Sequence, residues 1–159
     1  MARRRDPLRN FNYRVEIAGF DSGFGFSNVD GLNRSMEIIE YREGGDPHTP
    51  RKMPGQASFD NIVLERGKYV GPNADEVLQW AEECFNHSEG TNQAVDGFRR
   101  TVDIYLLDRD GIEKRHWRAE YAWVAEYQHD PLAGDGNDVF MERIELAHEG
   151  LKEVILNNV

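Results

Sequence analysis

One cysteine, four lysines and no long apolar run are the first things this sequence of 159 residues lacks. Cys84 has no partner with which to close an internal disulfide, and it lies inside an amphipathic stretch, which fits a buried thiol in a reducing compartment. No hydrophobic run approaches the ~20 residues that would span a bilayer. Three arginines near the amino terminus, Arg3, Arg4 and Arg5, are followed by no apolar stretch and so do not read as a secretory leader; synthesis and assembly in the cytoplasm are the expectation. A net charge of −10 argues against a general nucleic-acid binder, which needs clustered Lys and Arg to replace counterions on phosphates. Acidity would instead suit the wall of a pore, where it repels a passing polyanion.

Signatures of chemistry are equally scarce. His48, His87, His116, His129 and His148 are widely separated and form no Cys/His cluster with zinc-ligand spacing. Gly19, Gly23 and Gly25 lead into no Gly-Lys-Ser/Thr and so make no phosphate loop. Asp108, Asp110 and Gly111 look like part of a calcium loop but lack the downstream bidentate acid, and read as a tight turn. Carboxylates are abundant, yet none sits where one pKa would be raised and its neighbour's left alone, as glycoside hydrolysis requires. No Gly-x-Ser-x-Gly nucleophile motif is present. The expectation is a protein without catalytic residues, metal or cofactor.

What is present is strand signal at both ends and one helix in the middle. Phe11, Tyr13, Val15 and Ile17 alternate with polar residues, the period of a half-buried strand. Short runs follow at Phe24–Val29 and Met36–Tyr41, and strand character returns over Ala57–Arg66. Between them, Gly44–Gly55 holds three prolines and three glycines, which predicts an irregular protruding loop. Asn73 and Glu76 make a capping-box-like start for a helix whose stripe is Val77, Leu78, Trp80, Ala81, Cys84 and Phe85, ending near Gly90. Arg99–Leu107 and Ile112–Tyr127 flank the Asp108–Gly111 turn as a hairpin, and a last strand follows from Val139 to Leu146. About seven strands and one helix predict one α+β domain, mostly β, over residues 1–159, built as an antiparallel sandwich or barrel.

Three tryptophans, six tyrosines and eight phenylalanines can fill a β core or serve an interface, and composition does not choose between them. A small β-barrel that binds an apolar ligand as a monomer would use the same pattern.

The stretches Asp6–Ile17, Gly25–Leu32, Ile39–Gly55, Asn61–Gly67, Arg99–Gly111 and Glu142–Leu151, in that order, together resemble the tail-tube family of contractile phages and related injection systems. The resemblance implies a hexameric ring whose subunits share a central β-barrel, with rings stacked under a contractile sheath and closed by baseplate and cap proteins. It also implies a lumen that carries a protein effector or DNA, and no membrane contact in the resting state. Two segments are the expected contacts between subunits or rings: the protruding loop with Arg42, Glu43, Gly44, Gly45, Asp46, Arg51 and Lys52, and an extended amino-terminal arm, residues 1–10, with Arg3, Arg4 and Arg5.

Overall fold

A computed structural model describes residues 12–20, 25–45, 49–71, 74–88, 97–136 and 139–155. In chain order the elements are β1 (Tyr13–Ile17), β2 (Asn28–Asp30), β3 (Arg34–Tyr41), β4 (Arg51–Phe59), β5 (Ile62–Gly67), α1 (Glu76–Ser88), β6 (Arg100–Leu107), β7 (Glu113–His129), β8 (Met141–Ala147) and β9 (Gly150–Val154). The fold is mostly β with one helix, as the sequence predicts, and every strand pairing is antiparallel.

Seven of these strands hydrogen-bond in the order β1-β6-β7-β8-β5-β2, with β9 joining on β7. The long strand β7 belongs to two halves. Its first part pairs with β6 and β9, and from Trp123 onward it pairs with β8. Val15, Ile17, Val102, Ile104 and Leu151 from the first half join Ile62, Leu64, Val124, Ile144 and Leu146 from the second in one buried cluster. Alternation explains this arrangement, since on β5 and β8 every second side chain is buried and those between are partly or fully exposed.

The helix closes the core. Val77, Trp80, Ala81 and Cys84 are buried, and the helix packs on β7. Trp80 satisfies its indole by donating to the Phe98 carbonyl at 2.7 Å. Cys84 is a buried free thiol that accepts from the Val124 amide at 3.4 Å, and burial pushes its pKa up, so it is a structural thiol. Asn73 lies outside the described residues.

Where β7 passes from one half to the other, its register against β6 gains an extra residue between Ala119 and Ala122. Tyr121 sits in that bulge with φ of 53°, the left-handed region, and its side chain is exposed. The position tolerates residues that enter this region and resists β-branched ones. Tyr121→Val is therefore expected to lower stability by about 1–2 kcal/mol and Tyr121→Gly by clearly less, as read from chemical denaturation.

The sequence expectation fails most clearly at Gly44–Gly55. Instead of an irregular loop through Gly55, β4 begins at Arg51 and pairs with β3 from Tyr41↔Arg51 to Arg34↔Phe59. Proline breaks central strands, but β3 and β4 form a separate two-stranded sheet in which each strand is an edge, and there Pro54 is tolerated opposite Ile38. The extra residue beside it, a bulge between Met36 and Ile38 in the register, takes up the irregularity. The stretch Ala57–Arg66 is likewise two strands, β4 and β5, divided at Asp60 and Asn61.

Candidate assembly surface

β2 runs into β3 through residues 31–33, and β4 runs into β5 through 60–61. Because β2 pairs with β5 and β3 with β4, the four strands form one long hairpin. Its root belongs to the large sheet; its outer part, β3–β4, is a ribbon whose strands pack chiefly on each other.

The corner between root and ribbon is built by Gly31. Its φ is 90°, and a Cβ there would lie 2.0 Å from the Asn61 carbonyl oxygen, so only glycine permits this approach. Local hydrogen bonds hold the corner: the Gly31 amide donates to Asp30 Oδ1 at 2.7 Å, the Asn33 amide to the Gly31 carbonyl at 2.8 Å, and Asn33 Nδ2 to Asp60 Oδ2 at 3.1 Å.

All eight residues of β3 are exposed. Alternation places Met36 and Ile38 on one face of the ribbon, and Ile39 and Tyr41 on the other with Met53 opposite Ile39. Exposure of 63% at Ile38 and 42% at Ile39 leaves apolar side chains in water on both faces at once. A lone two-stranded ribbon is marginal in water, and a ribbon apolar on both faces marks a surface made to be covered by another molecule.

The expected contact residues fall unevenly on this element. Arg42, Glu43, Gly44 and Gly45 form the exposed turn at its tip, Gly45 with φ of 105°. Arg51 and Lys52 open β4 opposite Tyr41 and Glu40, and Lys52 Nζ lies 3.9 Å from Glu40 Oε1. Asp46, Arg3, Arg4 and Arg5 lie outside the described residues. The sequence reading did not single out the exposed apolar residues of the ribbon, because Met36–Tyr41 has the pattern of an ordinary strand.

At the other end of β5 a charged group is buried in the fold. Arg66 Nε donates to Glu142 Oε1; Glu142 Oε2 accepts from Lys68 Nζ at 3.0 Å and from the Tyr127 hydroxyl at 2.5 Å. Arg66 and Glu142 are only 3% and 1% exposed, so neither can rely on water. Burial raises the Glu142 pKa, but the hydrogen bonds from Tyr127, Arg66 and Lys68 outweigh it and hold the carboxyl below the usual carboxylate range. Burial followed by the bond to Glu142 raises the Tyr127 hydroxyl. This network ties β5, β7 and β8 together and has no free group to act on a substrate.

Other candidate chemistry resolves into structure. The Asp108 carboxylate accepts from the Ile112 and Asp110 amides, which lowers its pKa, and it caps its own turn. Among the described residues no group of His, Cys, Asp or Glu is arranged to hold a metal, and no helix is long and apolar enough to cross a membrane. The interior is filled by side chains such as Trp80, Ile62 and Leu64, and a cleft of about 540 Å³ at the surface is lined by Arg99, Arg100, Thr101, Arg118, Glu120 and Tyr121. Among the described residues, this charged, open cleft is not the apolar pocket that a ligand-binding barrel needs.

Solved structures share this fold over almost the whole chain. A chain of the anti-feeding prophage baseplate is similar with a TM-score of 0.76 and 20% identity, over 95% of this chain and 97% of that one. A chain of an extracellular contractile injection system, in the PVC sheath-tube complex in its extended state, has a TM-score of 0.74 and 24% identity, over 94% and 93%. Hcp1 of Flavobacterium johnsoniae is more distant, with a TM-score of 0.50 and 14% identity over 90% and 94%. No curated protein matches the sequence. The family model described as T4-like virus tail tube protein gp19 matches residues 9–152, nearly the full length, and the chain belongs to that tail tube family.

Proposed function

We propose that this tail tube protein works as a hexameric ring, stacked into a rigid hollow tube that sheath contraction drives through a target envelope. The ribbon carries the reading: an element apolar on both faces, projecting from an otherwise well-filled fold, is stable only when neighbouring copies cover it. Closure into a ring also disposes of open sheet edges, which would otherwise invite uncontrolled pairing. The similar chains come from a baseplate and a sheath-tube complex, and another comes from a tube-terminating cap. By analogy, sheath, baseplate and cap proteins are the partners here.

The work is mechanical, so no residue need be catalytic and no cofactor is required. Arg42, Glu43, Gly44, Gly45, Asp46, Arg51 and Lys52, together with Arg3, Arg4 and Arg5 near the amino terminus, act as contacts between copies. Assembly takes place in the cytoplasm, and the excess of acids suits a lumen that conducts a protein effector or DNA without binding it.

The pair Ile38→Glu and Ile39→Glu tests this by placing a charge on each face of the ribbon. Both side chains are exposed in the monomer, so thermal stability should move by no more than about 0.5 kcal/mol per site. Sedimentation should then find folded protein that forms no tubes. Tubes in wild-type yield from the double variant would refute the role given to the ribbon.

A further inference from the structure

The hairpin that carries the ribbon changes direction at Asp60 and Asn61, which divide β4 from β5, and both residues are held from outside the hairpin by the end of β8. Asn61 Nδ2 donates to Glu145 Oε1 at 3.0 Å. His148 Nε2 donates to the Asp60 carbonyl at 2.9 Å, and its ring centroid lies 5.7 Å from that of Phe59, the last residue of β4.

Register explains why position 148 meets position 60. β5 and β8 pair antiparallel from Gly67↔Met141 to Ile62↔Leu146, so a ladder prolonged by two residues would set Asp60 opposite His148. The chain instead turns off into the ribbon. The Asp60 amide donates to the Asn33 carbonyl at 3.3 Å, within the hairpin, while the Asp60 carbonyl accepts from an imidazole beyond the end of the ladder. The turn that presents this imidazole is itself anchored. The Glu149 amide donates to the Glu120 carbonyl at 3.0 Å, and the Glu149 carboxylate accepts from Arg99 Nη1. His148 therefore reaches the corner from a fixed point on the large sheet.

The chemistry of the ring separates packing from hydrogen bonding. A carbonyl only accepts, so Nε2 carries the proton. In the neutral ring Nδ1 is then an acceptor, and it is covered and without a hydrogen-bond partner among the described residues. A covered, unsatisfied nitrogen costs stability, and a leucine would pack on Phe59 without that cost. What histidine supplies here and an apolar side chain does not is the donor aimed at Asp60.

We infer that His148 is a positioning residue for assembly: its hydrogen bond to the Asp60 carbonyl holds the corner from which the ribbon leaves the sheet, and so fixes the ribbon's direction within the single subunit. This rests on the tube reading. The ribbon's strands pack chiefly on each other, so its direction is set at its root. A ribbon free to swing is competent for assembly only for the fraction of time that it points correctly, and the threshold concentration for tubes rises as that fraction falls.

The experiment compares His148→Leu, which keeps an apolar side chain against Phe59 and removes the donor, with His148→Gln, whose amide restores a donor near the place of Nε2 without the ring. Hydrogen exchange, read by mass spectrometry, should run about two- to tenfold faster in His148→Leu at the amides of Gly31, Asn33 and Asp60, the range for losing one hydrogen bond. Exchange in β5, β7 and β8 should stay as in the wild type, and the melting temperature should stay within about 2 °C of it. Sedimentation should find tubes of His148→Leu only above a raised threshold concentration. His148→Gln should return both corner exchange and threshold toward the wild-type values.

Wild-type exchange at the corner, or a wild-type threshold, in His148→Leu would overturn the inference. Faster exchange throughout the core would overturn it as well, by making His148 a general stabiliser. So would a His148→Gln variant as impaired as His148→Leu, which would give the role to the ring and not to the donor. A wild-type protein that itself forms no tubes would defeat the tube reading instead, and corner exchange would still decide whether His148 holds the corner.

Discussion

Gly31→Ala is expected to abolish tube formation and to lower the melting temperature by about 6–12 °C, at roughly 2–4 °C per kcal/mol for a chain of this size. Two costs combine at this position. The backbone is left-handed, which carries a penalty of order 1–3 kcal/mol for a side chain that does not favour that region. The added methyl would also lie 2.0 Å from a backbone oxygen, that of Asn61, which cannot swing aside as the end of a flexible side chain could. Relief requires the corner to open, and opening it changes the direction in which the ribbon leaves the sheet. A total near 3 kcal/mol is the expected loss, measured by denaturant titration. Gly44→Ala is the control, because an added Cβ there meets nothing within 4 Å. If Gly31→Ala forms tubes as readily as the wild type, the corner does not aim the ribbon.

Glu142→Gln should cost about 3–5 kcal/mol, the range for removing one partner of a buried ion pair. The loss comes from what remains: Arg66 stays 3% exposed with a neutral amide where its carboxylate was. Replacing both members, as Arg66→Met with Glu142→Leu, should recover much of that loss, since a well-packed apolar pair avoids desolvating two charges. The same group gives a pH dependence of known sign. Glu142 has a folded pKa below its unfolded value, so its contribution is fully present above the ordinary glutamate range near ~4.3. That contribution is lost as pH falls through the lower, folded value. Stability measured against pH should therefore drop more steeply on the acid side in the wild type than in Glu142→Gln.

Periodicity carried the reading of the chain as far as backbone pattern and burial agree. The helix stripe around Trp80, the β6–β7 hairpin and the alternation on β1 all follow from side chains whose burial is decided within one subunit. The ribbon is a different case. Met36–Tyr41 mixes apolar residues with Glu37 and Glu40 as an ordinary half-buried strand does, and a sequence does not distinguish apolar residues that their own fold buries from those it leaves exposed. Prolines misled in the same segment, because their prohibition applies to central strands and β4 is an edge. β9 escaped notice as a separate element for want of a strong turn signal: only residues 148 and 149 divide it from β8. The buried Arg66–Glu142 pair left no mark in the sequence at all, since the two residues lie far apart along the chain and meet only through the β5–β8 register.

The place in the fold of the residues proposed as contacts was legible in part. Arg42 to Gly45 do form an exposed tip, and Arg51 and Lys52 do lie on the same projecting element, though on a strand. The emphasis on charged and glycine residues overlooked the exposed apolar side chains of Met36, Ile38, Ile39 and Met53 on the same element.

The most direct measurement is negative-stain electron microscopy of the purified chain alone, joined to its mass in solution. Hollow tubes or rings with six subunits per layer are the predicted result. A monodisperse monomer that persists at high concentration, with its ribbon uncovered, would contradict the account.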